Sequence, residues 1–150
     1  WGGDANMFNA AGSGIKNYVF PTMTPFWSDD VPGMKLVREI SKMSDRSGEE
    51  TRVHHYMRGV CSTYFMKEAM EWAKENGGIT GENVKKGMYV NKNWVPKGLE
   101  GVCLAANWSN DDHRGINQVN IYKGNYEQGD VKVEKVSQVT LERRDDWLGY

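Results

Sequence analysis

Residues 107–115 read Asn-Trp-Ser-Asn-Asp-Asp-His-Arg-Gly, and the run Asn-Gln-Val-Asn-Ile-Tyr-Lys follows them at residues 117–123. In the first segment the side chains of Asp112 and His113 can orient each other, while Gly115 permits the chain to turn. In the second segment apolar residues alternate with polar ones, as in a β-strand with one buried face. The sequence therefore predicts an architectural polar corner that leads directly into a strand.

Most of the remaining chain carries helix signals. The longest is a broad apolar face over residues 53–76, which ends at two consecutive glycines. Pro21 and Pro25 are expected to end a short buried strand and to make the following residues an extended connector. The predicted helices are residues 4–12, 30–43, 53–76 and 80–89, and the predicted strands are residues 18–20, 118–123 and 131–141.

Two cysteines, Cys61 and Cys103, match neither a zinc spacing nor a C-x-x-C redox motif. In an oxidising compartment they can pair. Cys61, however, lies among apolar helix residues, where buried free cysteine is common. Buried free thiols are therefore the expectation, with a disulfide as the alternative, and no metal site is expected.

The composition excludes several functional classes. A formal net charge of -1 gives no electrostatic bias toward nucleic acid or an anionic membrane. No stretch approaches the roughly 20 apolar residues of a membrane span, and no basic-then-apolar leader opens the chain, so any export signal is expected to have been removed. Residues 12–14 lack both the G-x-S-x-G pattern of a hydrolase and a dinucleotide fingerprint. No cofactor and no nucleic-acid partner are expected.

Five short motifs occur in a characteristic order: G-G-D at residues 2–4, A-A-G at 10–12, Y-M-R-G at 56–59, I-T-G-E-N at 79–83 and W-S-x-x-D-H-R-G at 108–115. As an ordered set they resemble the C-terminal part of type I periplasmic solute-binding proteins, the branched-chain amino acid and amide group that serves ABC importers. This resemblance implies a partial type I periplasmic-binding-protein fold of the α/β class.

The resemblance also implies a division of the chain. Members have two α/β lobes joined by three crossover strands, and hinge bending closes the ligand between the lobes. Residues 1–21 would belong to the second lobe, 22–30 to a crossover, 31–106 to helices that cover the first lobe, and 107–150 to the return into the second lobe and the C-terminus. The apolar face of the long helix would then need a cover, either a missing first-lobe segment or an exchanged copy of the chain.

Four residues are the candidate ligand contacts. The resemblance assigns Asp4 to the amino group of a bound amino acid, although Asp4 can instead cap the first helix. His54 and Tyr56 can hydrogen-bond a bound carboxylate or carbonyl, or can simply begin the long helix. Trp27 can wall an apolar side-chain pocket or pin the connector.

The function that the resemblance implies is binding without catalysis. The chain would be part of the periplasmic, or exported and membrane-anchored, component that captures a small solute and delivers it to an ABC permease. The expected solutes are branched-chain or other amino acids, amides and small aromatic acids. The alternative is a ligand-sensing or interaction domain of the same fold.

Overall fold

The computed structural model describes residues 5–43 and 51–147. This part of the chain combines four α-helices with a small sheet and two short 3₁₀ turns. The helices are α1 (Ala5–Ala11), α2 (Met34–Met43), α3 (His54–Glu75) and α4 (Gly81–Val90), the strands are β1 (Tyr18–Thr22), β2 (Gln118–Glu127) and β3 (Asp130–Thr140), and the 3₁₀ turns are Gly12–Ile15 and Asp145–Trp147. The mixed helix and sheet architecture predicted from the sequence is confirmed. Asp4, the predicted cap of the first helix, lies outside the described residues.

The three strands form one antiparallel sheet in the order β1-β2-β3. The β2–β3 hairpin turns at Gln128 and Gly129, whose φ angles are 53° and 91°. Positive φ at both central residues is what a tight hairpin requires if its turn is to match the twist of the strands. Both predicted C-terminal strands are confirmed, and β2 continues four residues beyond its predicted end, to Glu127.

The prediction for β1 is wrong in two respects. Pro21 lies inside the strand instead of ending it, and Tyr18 and Val19 are exposed rather than buried. In the described sheet β1 is an edge strand, where a proline removes no ladder hydrogen bond from the interior of the sheet. Only Phe20 and Thr22 of this strand face the interior.

The buried face of β2 is the one that carries Asn120, Tyr122 and Gly124 rather than the one that carries the aliphatic residues. Asn120, Tyr122 and Gly124 are buried, whereas Val119 and Ile121 are only half-buried on the other face. Tyr122 packs in an aromatic cluster, the sheet core, with ring centroids 5.0 Å from Phe26 and 6.1 Å from Phe20. The members of the sheet core are Phe8, Ile15, Phe20, Phe26 and Tyr122.

A second cluster, the helix core, lies between α2, α3 and the irregular segment 94–106. Its buried members are Met34, Val37, Met57, Val60, Cys61, Phe65, Ala69, Trp94, Leu99, Val102, Cys103 and Ala106. The ring of Phe65 meets Trp94 and Trp108 edge to face, at 4.9 Å and 5.0 Å. The expectation that the apolar face of α3 needs a cover from another polypeptide is therefore wrong for most of that face, because the chain folds back over it.

A disulfide joins Cys61 and Cys103, whose Cα atoms lie 5.6 Å apart across 42 residues of sequence. The expectation of free thiols is wrong, although both residues are buried as expected. The pairing results from the return of segment 94–106 onto α3, which local sequence patterns do not reveal. The disulfide fastens that segment to the middle of the long helix.

α4 begins as predicted, because the hydroxyl of Thr80 accepts a hydrogen bond from the Asn83 amide at 3.2 Å. Gly87, which weakens the sequence prediction of this helix, is required by its packing. A Cβ atom at this position would lie 2.5 Å from the carbonyl oxygen of Ala69. The absence of a side chain at Gly87 therefore lets α4 lie directly on α3. Within residues 5–43 and 51–147, no helix has the length and apolarity that crossing a membrane requires.

Candidate functional site

The connector between β1 and α2 is held by a set of polar contacts centred on Asp29. The Asp29 carboxylate accepts hydrogen bonds from the Phe26 amide, at 3.0 Å, and from the hydroxyl of Tyr122. The Arg38 guanidinium donates to the carbonyl oxygens of Trp27, at 3.0 Å, and of Asp29, at 3.3 Å. The backbone on both sides of Trp27 is thereby fixed to the sheet core and to α2.

The hydrogen bond between Tyr122 and Asp29 has a fixed direction, in which the phenol is the donor. Burial of the phenol, followed by its hydrogen bond to Asp29, raises the pKa of Tyr122 above its ordinary value. The Tyr122 hydroxyl therefore stays protonated and acts as a donor to Asp29 throughout the physiological range. This hydrogen bond ties the connector to β2.

Two of the predicted ligand contacts, Trp27 and Tyr56, are brought together. Their ring centroids lie 6.5 Å apart at an interplanar angle of 74°, and both side chains are half-buried. The guanidinium carbon of Arg52 lies 5.7 Å from the centroid of the Tyr56 ring. We call Trp27 and Tyr56 the aromatic corner, since they form an edge-to-face pair where the connector meets the start of α3.

His54 occupies a more enclosed position than its neighbours. It is 6% exposed, and its backbone carbonyl accepts a hydrogen bond from the Thr24 hydroxyl at 3.3 Å. Its ring lies 6.1 Å from Phe26 and 4.1 Å from His55. The described contacts of His54 tie α3 to the connector, and a direct contact with ligand stays a prediction.

His55 and Tyr56 line a shallow groove of about 420 Å³ beside Ile40 of α2. Asp4 lies outside the described residues, so its predicted role also stays a prediction. No group of three or more His, Cys, Asp or Glu side chains suited to a metal ion occurs among the residues that the structure describes.

The polar corner at residues 107–115 does not pair Asp112 with His113, so that sequence prediction is wrong. Asp112 accepts hydrogen bonds from the Arg114 side chain at 2.9 Å and from Arg143 at 2.7 Å. His113 instead meets the hydroxyl of Tyr89 at 2.8 Å. The Arg114 side chain binds both carboxylate oxygens of Asp112, and such bidentate charge-assisted pairs are among the strong hydrogen bonds of proteins.

These hydrogen bonds, first from Arg114 and then from Arg143, hold the pKa of the Asp112 carboxyl well below its usual range. Arg143 also donates to the carbonyl oxygen of Gly115. The corner therefore joins segment 107–117 to the residues that follow β3, which agrees with the architectural role predicted for it. Arg143 lies 31 residues beyond Asp112 in the sequence, and no local pattern indicated this partner.

Gly115 is needed for a second reason besides its turn. Its φ angle is 61°, and a Cβ atom at this position would lie 2.5 Å from Cε2 of Trp108. The indole of Trp108 therefore packs against bare backbone and is held there by the turn. This contact sets the position of Trp108 against Phe65.

The side of α3 that faces away from the helix core remains open. A groove of about 630 Å³ runs along it, lined by Ser62, Thr63, Met66, Lys67, Met70, Glu71, Lys74 and Ile79. Met66 and Met70 are 47% and 38% exposed. We call this surface the outer face of α3. On this part of the long helix, the predicted cover by another polypeptide stays a prediction.

The described fold is that of part of a type I periplasmic binding protein. The solved structure of a branched-chain amino acid ABC transporter protein from Thermus thermophilus with bound valine superimposes with a TM-score of 0.75 at 19% identity. That match covers 93% of this chain and 37% of the other chain. The leucine-binding protein LivK from Thermotoga maritima gives a TM-score of 0.58 at 16% identity, over 90% of this chain and 34% of the other.

The chain thus spans about a third of the length of these two solved relatives. No protein-family model matches it, and no curated protein does. At such low identity the structural likeness establishes the fold, and function has to be argued from the chain's own residues.

Proposed function

We propose that this chain is part of the substrate-binding component of an ABC importer, which captures a small solute between two lobes. The observation that carries this proposal is the superposition over 93% of the chain on a protein solved with bound valine. The solute would be a branched-chain amino acid, an amide or a small aromatic acid. The role requires binding and release alone, without bond-making chemistry.

The division into lobes is part of the same proposal. Residues 1–21 and 107–150 would form part of the second lobe, 22–30 a crossover, and 31–106 the helices of the first lobe. The separation of the hydrophobic interior into a sheet core and a helix core supports it. The connector after β1 and segment 107–117 each run from one of these two cores to the other, and hinge bending would take place in these two segments.

The cover of the outer face of α3 would be the remainder of the first lobe, with an exchanged copy of the chain as the alternative. Exposed methionines along a groove of about 630 Å³ support this proposal. Three apolar side chains, Met66, Met70 and Ile79, come together in this groove, and each is more than a third exposed. The share of the solved relatives that the chain spans leaves ample polypeptide to supply a cover.

The solute would lie near the aromatic corner. Trp27 and Tyr56 would wall its side chain, and Asp4 would meet its amino group if it is an amino acid. His54 would contact it or would hold Tyr56 in place. The fixed backbone around Trp27 supports a wall role, because a preorganised wall does not have to be ordered when the ligand binds.

The proposed location is outside the cytoplasm, with an ABC permease as the partner. The Cys61–Cys103 disulfide supports this location, because disulfides persist in oxidising compartments such as the periplasm.

Calorimetric titration of the product of the complete gene tests the proposal. A panel of amino acids, amides and aromatic acids should contain at least one tight ligand. Replacement of Trp27 or Tyr56 by alanine should weaken its binding by about ten-fold or more, the loss expected for a wall side chain. Lys86→Ala on α4 serves as the matched surface control. A gene product that binds none of the panel, or that binds equally well without both aromatic rings, would contradict the proposal.

A further inference from the structure

β3 forms one edge of the sheet and is long for an edge strand. It has 11 residues, about twice the usual length of a strand, and contains no proline. Among the residues that the structure describes, none outside β2 forms a hydrogen bond with residues 130–140. Native proteins usually shorten or block such edges, because an open edge readily pairs with another strand. The outer side of β3 is therefore a candidate pairing surface.

The regular part of this edge is residues 130–135. Tyr122 of β2 pairs with Lys135, but its neighbour Ile121 pairs with Ser137. Val136 is therefore the extra residue of a β-bulge, which bends the strand and interrupts its ladder. A straight partner strand can pair only with the residues that precede the bulge.

The hairpin turn determines which backbone groups of this segment point away from β2. Gln128 and Gly129 both have positive φ and join Glu127 to Asp130. In a turn of this kind the two flanking residues form a hydrogen-bonded pair. Bonded and non-bonded pairs then alternate along an antiparallel ladder. The backbone groups that point to the open edge are therefore those of Val131, Val133 and Lys135.

The side chains of the same segment place one cation and one anion on a single face. Val131 and Val133 pack against the sheet core. Lys132 and Glu134 alternate with these valines and so lie on the opposite face of the sheet, where both are exposed. Lys132 also donates a hydrogen bond to Glu127 of its own strand pair at 3.0 Å. The open edge thus carries opposite charges two residues apart.

A second copy of β3 matches this pattern in one symmetric register. When two copies run antiparallel about a two-fold axis at Val133, the two Val133 residues form a hydrogen-bonded pair. Each Lys132 then lies directly opposite Glu134 of the other copy, in the non-bonded pairs where side chains are closest. An axis at Lys132 would oppose two lysines, and an axis at Glu134 would oppose two glutamates. Charge therefore selects the register centred on Val133.

We propose that β3 is an interface between two copies of this chain, which join their sheets edge to edge about Val133. The partner is a second copy because the charges and the backbone groups of this edge are complementary to themselves. One strand pair buries little surface, so the association is weak and depends on concentration. It goes beyond the proposed function, because neither Trp27 nor Tyr56 belongs to β3.

Sedimentation equilibrium of the chain from about 1 µM to about 1 mM tests the proposal, since this range spans the affinities of small interfaces. The average mass should rise toward twice that of one chain. Glu134→Lys and Lys132→Glu should each weaken association by about ten-fold or more, because like charges then lie opposite each other twice. Glu75→Lys, the same change of charge at an exposed position of α3, is the matched control and should associate like wild type.

An equimolar mixture of the Glu134→Lys and Lys132→Glu variants gives the sharpest readout. Each lysine of one chain then faces a glutamate of the other, so the mixture should associate about as tightly as wild type. Misfolding of either variant cannot produce this recovery, and circular dichroism confirms that both are folded. Amide hydrogen exchange checks the register. The Val133 amide should become protected as concentration rises, whereas the Lys132 amide, which points to β2, should be protected throughout.

Several results would overturn the proposal. These are a monomer at all concentrations, association that survives both charge substitutions, and a mixture that associates no better than its separate variants. Association through the outer face of α3 would give the second of these results. The product of the complete gene should behave like the chain alone. Protection of its Val133 amide at every concentration would show that another part of the polypeptide pairs with β3, which also contradicts the proposal. Failure of the proposed function leaves these readouts unchanged, because none of them involves a solute.

Discussion

Replacement of both Cys61 and Cys103 by alanine removes the one covalent link between α3 and segment 94–106 in the described structure. The link spans 42 residues of sequence. In the chain-entropy description, a loop of this size restricts the unfolded chain by about 13 cal/mol/K, or about 4 kcal/mol at 25 °C. Alanine is preferred to serine, because both sites are buried and a serine hydroxyl there would need a hydrogen-bond partner.

The assay is urea unfolding followed by tryptophan fluorescence and circular dichroism. The double variant should lose about 3–4 kcal/mol of unfolding free energy, and the wild-type chain in a reducing buffer should lose a similar amount. The free energy of unfolding should depend more steeply on urea concentration without the disulfide, because an unfolded chain without a cross-link is more expanded and exposes more surface. Ser62→Ala, an exposed neighbour on α3, should change the stability by less than about 0.5 kcal/mol.

Two results would refute this reasoning. A loss below about 1 kcal/mol would mean that the link restricts the unfolded chain much less than loop entropy requires. Two free thiols titrated in the unfolded, unreduced protein would mean that the sulfurs are not joined at all.

Three further predictions concern packing and charge. Gly87→Ala should destabilise the protein by about 1–3 kcal/mol in urea unfolding, because the new methyl group would collide with the Ala69 carbonyl. This loss is expected although alanine favours helix more than glycine does. An increase in stability would show that α4 does not lie directly on α3. The Glu68 carboxylate accepts hydrogen bonds from Trp94 Nε1 and the Lys97 amide, both at 2.7 Å. Glu68→Ala should therefore lower the free energy of unfolding by about 1–3 kcal/mol and shift the tryptophan emission to longer wavelength. Glu68→Gln, which keeps one acceptor oxygen, should lose less stability. Asp112→Asn should lower the free energy of unfolding by about 1.5 kcal/mol at pH 7. Because the pKa of Asp112 is lowered in the folded state, its stabilising contribution is present above the ordinary carboxyl pKa and is lost as the pH falls through the folded-state pKa. The stability difference between wild type and variant should therefore shrink in acid, and a constant difference would contradict this account.

The elements predicted best from the sequence are those set by local patterns. α3 runs from His54 to Glu75, within one residue of its predicted limits, because its apolar stripe is continuous and two glycines follow it. Thr80 begins α4 as predicted, because a capping hydroxyl acts on a backbone amide three residues away. Turn and strand propensities likewise sufficed for the β2–β3 hairpin.

The features that were missed depend on contacts between distant residues. Neither the disulfide nor the Asp112–Arg143 bond has a local signature, because each follows from the return of an irregular segment onto a regular element. The buried face of β2 was hidden for a related reason. Asn120 and Tyr122 are polar in composition, and burial of the Tyr122 phenol depends on Asp29, which lies 93 residues earlier.

The place of Trp27 at the end of the connector and the resemblance at Tyr56 selected these two side chains, and the structure brings their rings together, while their contact with a ligand stays a prediction. These signals gave no indication of Asp29, Arg38 and Tyr122, which fix the backbone around Trp27, since such supporting contacts form only once β1, α2 and β2 have assembled. The groove beside Met66 and Met70 was likewise indicated only as part of a much wider apolar face.

Oxidation footprinting of methionine tests most directly the claim that the outer face of α3 packs against further polypeptide. In this chain alone, Met66 and Met70 should react readily with peroxide, because they are 47% and 38% exposed, while the fully buried Met34 and Met57 should react slowly. In the product of the complete gene, the account predicts that Met66 and Met70 become as protected as Met34 and Met57. Equally fast oxidation of Met66 and Met70 in both proteins would contradict it.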